Sequence, residues 1–290
     1  MNILTFDIEE WYIEKIYNGN HSEKYRQFDE MLDKILNLLS EVDCKATFFC
    51  LGKIATDFPH VIRKITAHGH EIGCHSNEHV WLTKLTPEQL KRDTHDAIAA
   101  LQDVSGQAVE SYRAPAFSIG ETNKWAIEIL AEEGIKNDSS IFPAVRDFGG
   151  FLTFTKDEPC IIDYNGTTLK EFPIPIVKIL GKKCAYSGGG YFRLFPYWFT
   201  QRNMKKSNYG MCYFHISDLI SQPCKLMSKA DYETYFRESG TLKNRVTRYL
   251  KSSLGRTSAF AKMERLIVNL PFVSLSEYLR HKPNLPTLTI

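Results

Sequence analysis

Five short polar clusters in this chain carry residue types that hydrolytic chemistry uses. Asp7, Glu9 and Glu10 crowd three carboxylates into four positions. Residues two apart on a strand share a face, so Asp7 and Glu9 converge unless a cation or a shared proton relieves them. His75 and His79 are spaced so that a helical turn would put both imidazoles on one side, a geometry suited to zinc or a related divalent ion. With a carboxylate from the first cluster they would make a three-ligand site with open positions. Arg113-Ala114-Pro115-Ala116-Phe117 offers a guanidinium that can clamp a carboxylate, and a proline that aims the following amides at a pocket. Asn137-Asp138-Ser139-Ser140 is the fourth cluster; it and the Arg113 segment also fit ordinary turns. The fifth is His215, closing the apolar run Cys212-Tyr213-Phe214. A lone histidine there is commonly structural, but one facing a metal would be tuned to donate a proton.

Each cluster follows a segment that reads as a strand: Asn2–Ile8, Glu71–Cys74, Ser111–Ala114, the residues after Gly134, and Tyr213–Ile216, with Ala46–Leu51 as a further strand. Helical stripes lie between them. Phe28, Met31, Leu32, Ile35, Leu36 and Leu39 recur at helical spacing. Pro59 starts a helix ending near Gly69, and Thr86-Pro87-Glu88-Gln89 is a capping box opening a helix to about Val104. Thr122–Glu133 should be helical, with Gly134 as its stop. This βαβα rhythm predicts a parallel sheet covered by helices, either open or closed into a barrel, with the clusters at the strands' C-terminal ends where such folds place their chemistry. From Phe148 to Gly190 the helical period gives way to an elaborated insertion containing a strand near Thr168–Phe172. Asp231–Leu250 and Phe260–Leu270 read as helices, and Ser274–Leu279 closes the chain. With no linker to divide it, the expectation is one domain over 1–290, a core to about residue 220 and an extension from about 221 packed on it.

Apolar residues at 43% and charged residues at 24% place the chain among globular proteins. Lys and Arg total 36 against 34 Asp and Glu, a balance of +2 that does not suit a nucleic-acid partner. No apolar run is long enough to span a membrane, and the chain enters a strand directly after Met1. The expectation is a cytoplasmic protein with neither leader nor anchor. The seven cysteines (Cys44, Cys50, Cys74, Cys160, Cys184, Cys212 and Cys224) are odd in number and form no CxxC, which predicts buried reduced thiols.

Taken in order, Thr5-Phe6-Asp7-Ile8-Glu9, His75-Ser76-x-x-His79, Arg113-x-Pro115-x-Phe117, Asp138-Ser139-Ser140 and Phe214-His215 resemble the five motifs of the polysaccharide deacetylase family, carbohydrate esterase family 4. Lys45-Ala46-Thr47-Phe48-Phe49, Gly69-His70-Glu71-Ile72, Gly188-Gly189-Gly190-Tyr191-Phe192-Arg193 and Gly255-Arg256-Thr257 extend the likeness to its exopolysaccharide-associated subgroup, over nearly the whole chain. The resemblance implies a distorted (β/α) barrel of about seven parallel strands with a helical C-terminal extension. It implies a metal-dependent hydrolase that removes N-acetyl groups from an N-acetylated saccharide and releases acetate. It makes Asp7 the general base, oriented by Arg113, and His215 the general acid. Glu9, His75 and His79 become the ligands of one divalent ion, zinc first, with cobalt, nickel or manganese as alternatives.

The chain departs from the family in two places. Most members have adjacent aspartates where this one has Asp7, Glu9 and Glu10, and Ile216 replaces the usual proline after the late histidine. Either glutamate could reach the ion; Glu9 is preferred because it shares a strand face with Asp7. A backbone amide at Ala116 or Phe117 would complete the oxyanion site. Trp11, Tyr12, Trp81, Tyr191 and Phe192 lie near the motifs and could either stack on sugar faces or pack the core. A lipid- or nucleotide-linked saccharide is the expected substrate. Two rival readings stand beside this one: a metal-independent amidohydrolase opening a cyclic ureide or imide, and a carbohydrate-binding module without catalysis.

Overall fold

The computed structural model describes residues 1–17, 22–145, 150–221, 226–236 and 238–290. Twelve strands are β1 (Asn2–Ile8), β2 (Thr47–Cys50), β3 (Glu71–Cys74), β4 (Ser111–Tyr112), β5 (Asn137–Asp138), β6 (Cys160–Tyr164), β7 (Thr167–Glu171), β8 (Ile176–Ile179), β9 (Lys182–Ala185), β10 (Gly210–His215), β11 (Phe272–Val273) and β12 (Thr287–Thr289). The helices are α1 (Glu10–Tyr17), α2 (Ser22–Glu41), α3 (Gly52–Asp57), α4 (Pro59–Ala67), α5 (Pro87–Ser105), α6 (Ala126–Glu132), α7 (Gly189–Leu194), α8 (Tyr197–Lys206), α9 (Ile216–Leu219), α10 (Lys229–Phe236), α11 (Leu242–Ser253), α12 (Ala259–Asn269) and α13 (Leu275–His281).

The sheet runs β10-β1-β2-β3-β4-β5-β7, seven strands paired in parallel, then β6 antiparallel to β7 and β12 beyond it. Every residue of β1 is buried, as a central strand covered on both faces requires. The expected barrel is incomplete as a hydrogen-bonded ring: among the described residues no ladder joins β7 to β10. A side chain spans the gap instead, the Tyr209 hydroxyl donating to Pro173 O at 2.9 Å. Ile3, Phe49, Phe172, Met211 and Tyr213 belong to the apolar cluster on that inner side.

The Thr86 cap and its Gln89 partner form as expected, and Gly134 takes the positive φ (86°) that lets the chain leave α6. Helix α6 itself starts later than Thr122. Asn123 folds back on the preceding loop, donating to Ser118 O and accepting from Gly120 N–H, which keeps Gly120–Asn123 out of the helix. The expected single helix Asp231–Leu250 is two, α10 and α11. Thr241 Oγ1 accepts from Asn244 N–H at 3.2 Å and starts a new helix, and Gly240 fits where a Cβ would stand 2.8 Å from Lys229 O. Six cysteines are free, and five of them are buried; burial pushes the Cys160 thiol up to about 11 and the Cys44 thiol to about 12. Cys224 and the start of the predicted insertion at Phe148 lie outside the described residues.

Candidate active site

All five polar clusters fall at the C-terminal ends of parallel strands: β1, β3, β4, β5 and β10. The β1–β10 register sets Asp7 beside His215, because Asp7 and His215 are direct partners in the ladder. Asp7, Glu9, His75, His79 and His215 line one cavity of about 530 Å³.

Glu9 lies just past β1 and Glu10 is the first residue of α1, so strand alternation does not govern them. Glu9 points to the histidines, with Oε2 2.6 Å from His79 Nε2 and 3.6 Å from His75 Nε2. Glu10 turns the other way and accepts from Ser217 N–H at 2.6 Å, tying α1 to α9. Burial, then the neighbouring Glu9 charge, pushes the Glu10 carboxyl up to about 7. Burial also works against a charge on Glu9, but His79, His215 and His75 outweigh it and hold that carboxyl well below the usual range.

The histidines do not sit on a helical turn, contrary to the expectation from their spacing. Ser76 (φ 71°) and His79 (φ 60°) both have left-handed backbone, and the loop is pinned at several points. Ser76 Oγ accepts from His79 N–H, Asp93 accepts from Asn77 N–H, and Gly52 N–H donates to Ser76 O. Gly52 is required there, since a Cβ would come 2.5 Å from Asn77 Oδ1 and 2.6 Å from Ala97 Cα. His75 Nδ1 lies 2.7 Å from Arg113 O and donates to it, which fixes its tautomer and leaves the Nε2 lone pair facing Glu9.

Ligand atoms of Glu9, His75 and His79 all lie within 4.8 Å of one another, so the three residues form a group that could hold a metal ion. Glu9 Oε2 is buried and accepts no well-aligned hydrogen bond, although two imidazole nitrogens face it. A buried carboxylate oxygen with two convergent imidazole nitrogens is a donor set for a borderline divalent cation.

Arg113 is wholly buried and spends its donors on β1 and on the turn after β5. Nη1 donates to Asp7 Oδ1 at 2.7 Å and Thr5 Oγ1 at 2.8 Å, Nη2 to Ser139 Oγ at 2.9 Å, and Nε to Ser139 O at 3.2 Å. Its guanidinium stacks 4.3 Å from the Phe49 ring. Removing one partner of such a pair strands a buried charge, so Arg113→Met should lower stability by about 3–5 kcal/mol. An unchanged urea midpoint would contradict this account of Asp7.

Asp138 and Glu171, partners in the β5–β7 register, form a second buried group. Ser140 Oγ donates to Asp138 Oδ1 and accepts from Ala114 N–H, while Glu171 Oε1 accepts from Ile141 N–H. The pair thereby fixes the loop that follows Arg113. Burial first, then the Asp138 charge, holds Glu171 well above the usual carboxylate range, so it keeps a proton that the unfolded chain would release. The folded state then binds more protons than the unfolded one, and stability declines as pH rises above the ordinary glutamate range. Glu171→Gln should flatten that decline in urea midpoints compared between mildly acidic and mildly alkaline pH, whereas Glu171→Ala should cost about 1–3 kcal/mol by stranding Ile141 N–H. Equal slopes in wild type and Glu171→Gln would rule out the proton retained on Glu171.

His215 Nδ1 donates to Asp218 Oδ2 at 3.1 Å, and Arg193 Nε stands 3.2 Å from Asp218 Oδ1. Burial alone would lower the His215 pKa, but Glu9, Asp218 and Asp7 outweigh it and raise it well above the usual range. Its Nε2 faces Glu9 Oε1 at 3.8 Å and Asp7 Oδ2 at 3.9 Å. Asp218, Arg193 and Glu171 carry no role in the motif reading. Of the three, Asp218 had a local signal, an acidic residue three past His215 at a helix start.

Two alternatives that the sequence left open are narrowed by the structure. Trp11, Tyr12 and Phe192 are buried in the core, Trp11 against Phe28 and Phe192 against Phe214, and only Trp81 and Tyr191 of the five aromatics line the cavity. The Phe117 N–H donates to Ala114 O at 3.0 Å, which removes it as an oxyanion donor; Ala116, at φ 54°, lines the cavity.

Residues 3–137 match the family described as polysaccharide deacetylase. This matched stretch is a little under half of the chain. The chain is 35% identical over 100 residues to a peptidoglycan-N-acetylglucosamine deacetylase of Bacillus cereus, covering 34% of this chain and 36% of the relative. A chitooligosaccharide deacetylase of Azorhizobium caulinodans is 28% identical over 38% of this chain and 53% of its own length. The chain thus spans well under two thirds of these curated relatives. Residues 139–280 match a different family, described as a domain of unknown function. Asp7 and the deacetylase-family histidines therefore meet His215, Asp218 and Arg193 across the boundary between the two matched stretches, which the β1–β10 ladder joins in one sheet.

A solved structure from Mycobacterium smegmatis, itself provisionally assigned as a polysaccharide deacetylase, superposes with a TM-score of 0.62 at 20% identity, over 100% of this chain and 93% of its own. A family 4 carbohydrate esterase pseudoenzyme from Bacillus anthracis superposes with a TM-score of 0.51 at 14% identity, over 96% and 65%. These likenesses establish the α/β fold. That a pseudoenzyme shares it shows that activity must be argued from side chains.

Proposed function

We propose that the whole chain acts as one catalytic domain, a metal-dependent carbohydrate deacetylase that hydrolyses the N-acetyl amide of an N-acetylated saccharide or polysaccharide precursor to acetate and a free amine. The observation that carries this reading is the convergence, in one cavity, of Glu9, His75 and His79 beside an Asp7–Arg113 pair and a His215–Asp218 pair. The acetylated-glycan substrates named for the relatives support the substrate class. The subgroup motifs favour an exopolysaccharide precursor met in the cytoplasm.

Glu9, His75 and His79 would hold one divalent ion, most simply zinc, given one carboxylate and two imidazoles. Such an ion supplies Lewis acidity, activating water at neutral pH and polarising the amide carbonyl. Asp7, held by Arg113, takes a proton from the attacking water. His215, kept protonated by Asp218, gives its proton from Nε2 to the departing amine. Ala116 contributes its loop to the wall around the carbonyl oxygen.

The test is acetate release from an N-acetylglucosamine oligosaccharide by the full chain, with and without chelator, alongside elemental analysis of protein purified without added metal. Acetate release abolished by chelator and restored by zinc is the expected result. Undiminished release in chelator would remove the metal from the reaction, ring opening of a cyclic ureide or imide without acetate release would favour the cyclic-amide reading, and binding without release the carbohydrate-binding module.

A further inference from the structure

Helix α11 is amphipathic in the wrong sense for a soluble surface. Asn244, Arg245, Arg248, Tyr249 and Ser252 form its half-buried side. Its outward side carries Leu242, Val246 and Leu250 at successive i+4 positions, with Leu254 just past the helix end, exposed by 62%, 37%, 49% and 50%. An apolar stripe of that length on a helix with no buried residue needs a partner to cover it. Of the helix's four cations, Lys243 and Lys251 are exposed and flank the stripe, while Arg245 and Arg248 lie on the half-buried side; it has no acidic residue. Apolar side chains flanked by basic ones on a helix too short to span are the pattern of an element lying in a bilayer interface. A second copy of the chain would bring two such basic helices together, which like charge opposes, whereas an anionic lipid surface matches both the charge and the apolar stripe.

We propose that the outward face of α11 docks this protein on an anionic bilayer. The inward side of the same helix supports the consequence for substrate. Arg248 and Ser252 line the active-site cavity, and Arg193, beside the exposed and cavity-lining Leu194, donates to Lys251 O at the end of α11. Docking therefore brings the cavity wall to the lipid surface, as an acceptor saccharide carried on a membrane anchor requires; this last step rests on the deacetylase reading, and the docking does not.

Co-sedimentation of the full chain with vesicles tests it, using phosphatidylcholine alone and phosphatidylcholine mixed with phosphatidylglycerol. The protein should bind the mixed vesicles and release them as salt rises towards about 1 M, where charges are screened beyond ~3 Å. Lys243→Gln should weaken partition about fivefold. Val246→Ser/Leu250→Ser, at two exposed positions away from the cavity, should weaken it by about 100-fold, roughly tenfold for each apolar side chain no longer buried. Should the double variant fail to fold, Lys243→Gln and the salt series still decide the matter. Absence of binding to mixed vesicles, or equal binding by wild type and a folded double variant, overturns the proposal. So does a concentration-dependent dimer that the double variant dissolves while vesicle binding is absent, since a second copy would then be the occupant. Vesicle binding without acetate release from a soluble oligosaccharide would leave the docking standing and remove only the deacetylase reading.

Discussion

A His75→Ala/His79→Ala double variant is expected to fold and to purify with almost no divalent ion, where the parent protein should carry about one per chain. Acetate release should fall by about 10³-fold or more, since the ion's Lewis acidity is worth several kcal/mol at about 1.4 kcal/mol per decade. The folding cost should stay small. His75 gives up one neutral hydrogen bond to Arg113 O, worth about 1 kcal/mol, and His79 is only partly buried on a loop that Ser76, Asn77 and Gly52 pin by their own bonds. Thermal unfolding supplies a readout independent of activity. Because an ion bound only to the folded state stabilises it by mass action, chelator should lower the parent's midpoint and leave the double variant's unchanged. Stoichiometric metal in the double variant would show that these histidines are not the ligands.

The sheet and the position of the five clusters were legible because both rest on local signals. Continuous apolar runs such as Asn2–Ile8 have to be buried, and polar residues that end such runs have to lie at strand ends. The site's inner geometry was less so. Strand parity favours Glu9 over Glu10, and Glu9 does face the histidines, but β1 stops at Ile8 and the orientation comes from the start of α1 and from Ser217. Helical spacing suggested how His75 and His79 meet, yet they meet through two left-handed residues whose strain is held by Ser76, Asp93 and Gly52, partners scattered over more than forty positions. Glu171 and Arg193 were beyond reach for the same reason: each acquires meaning from a residue that only the folded chain places beside it, Asp138 across a ladder and Asp218 across a helix end. The aromatic residues teach the converse. Adjacency in sequence to a motif said nothing about Trp11 or Phe192, because one step along a helix is enough to turn a ring from the cavity into the core.

Asp7 and His215 make the division of labour testable, because each is served by a different neighbour. Asp7→Asn keeps the shape and the bond that a carbonyl oxygen can accept from Arg113, but it cannot take a proton. It should therefore lose about 10²- to 10⁴-fold in turnover while remaining loaded with metal. His215→Ala should show a loss of the same order, concentrated in kcat, since its proton is needed only as the amine departs. The sharper experiment is Asp218→Asn. In the parent protein Asp218 helps to raise His215, so the protonated acid persists, and activity should persist with it, to a pH above the ordinary histidine range. Removing the Asp218 charge lowers the folded-state pKa of His215. The alkaline limb of the kcat profile should then move towards neutrality, while the acidic limb stays in place. A merely structural role for Asp218 predicts a uniform loss across the profile with both limbs unmoved, and that outcome would take the proton-donor assignment away from His215.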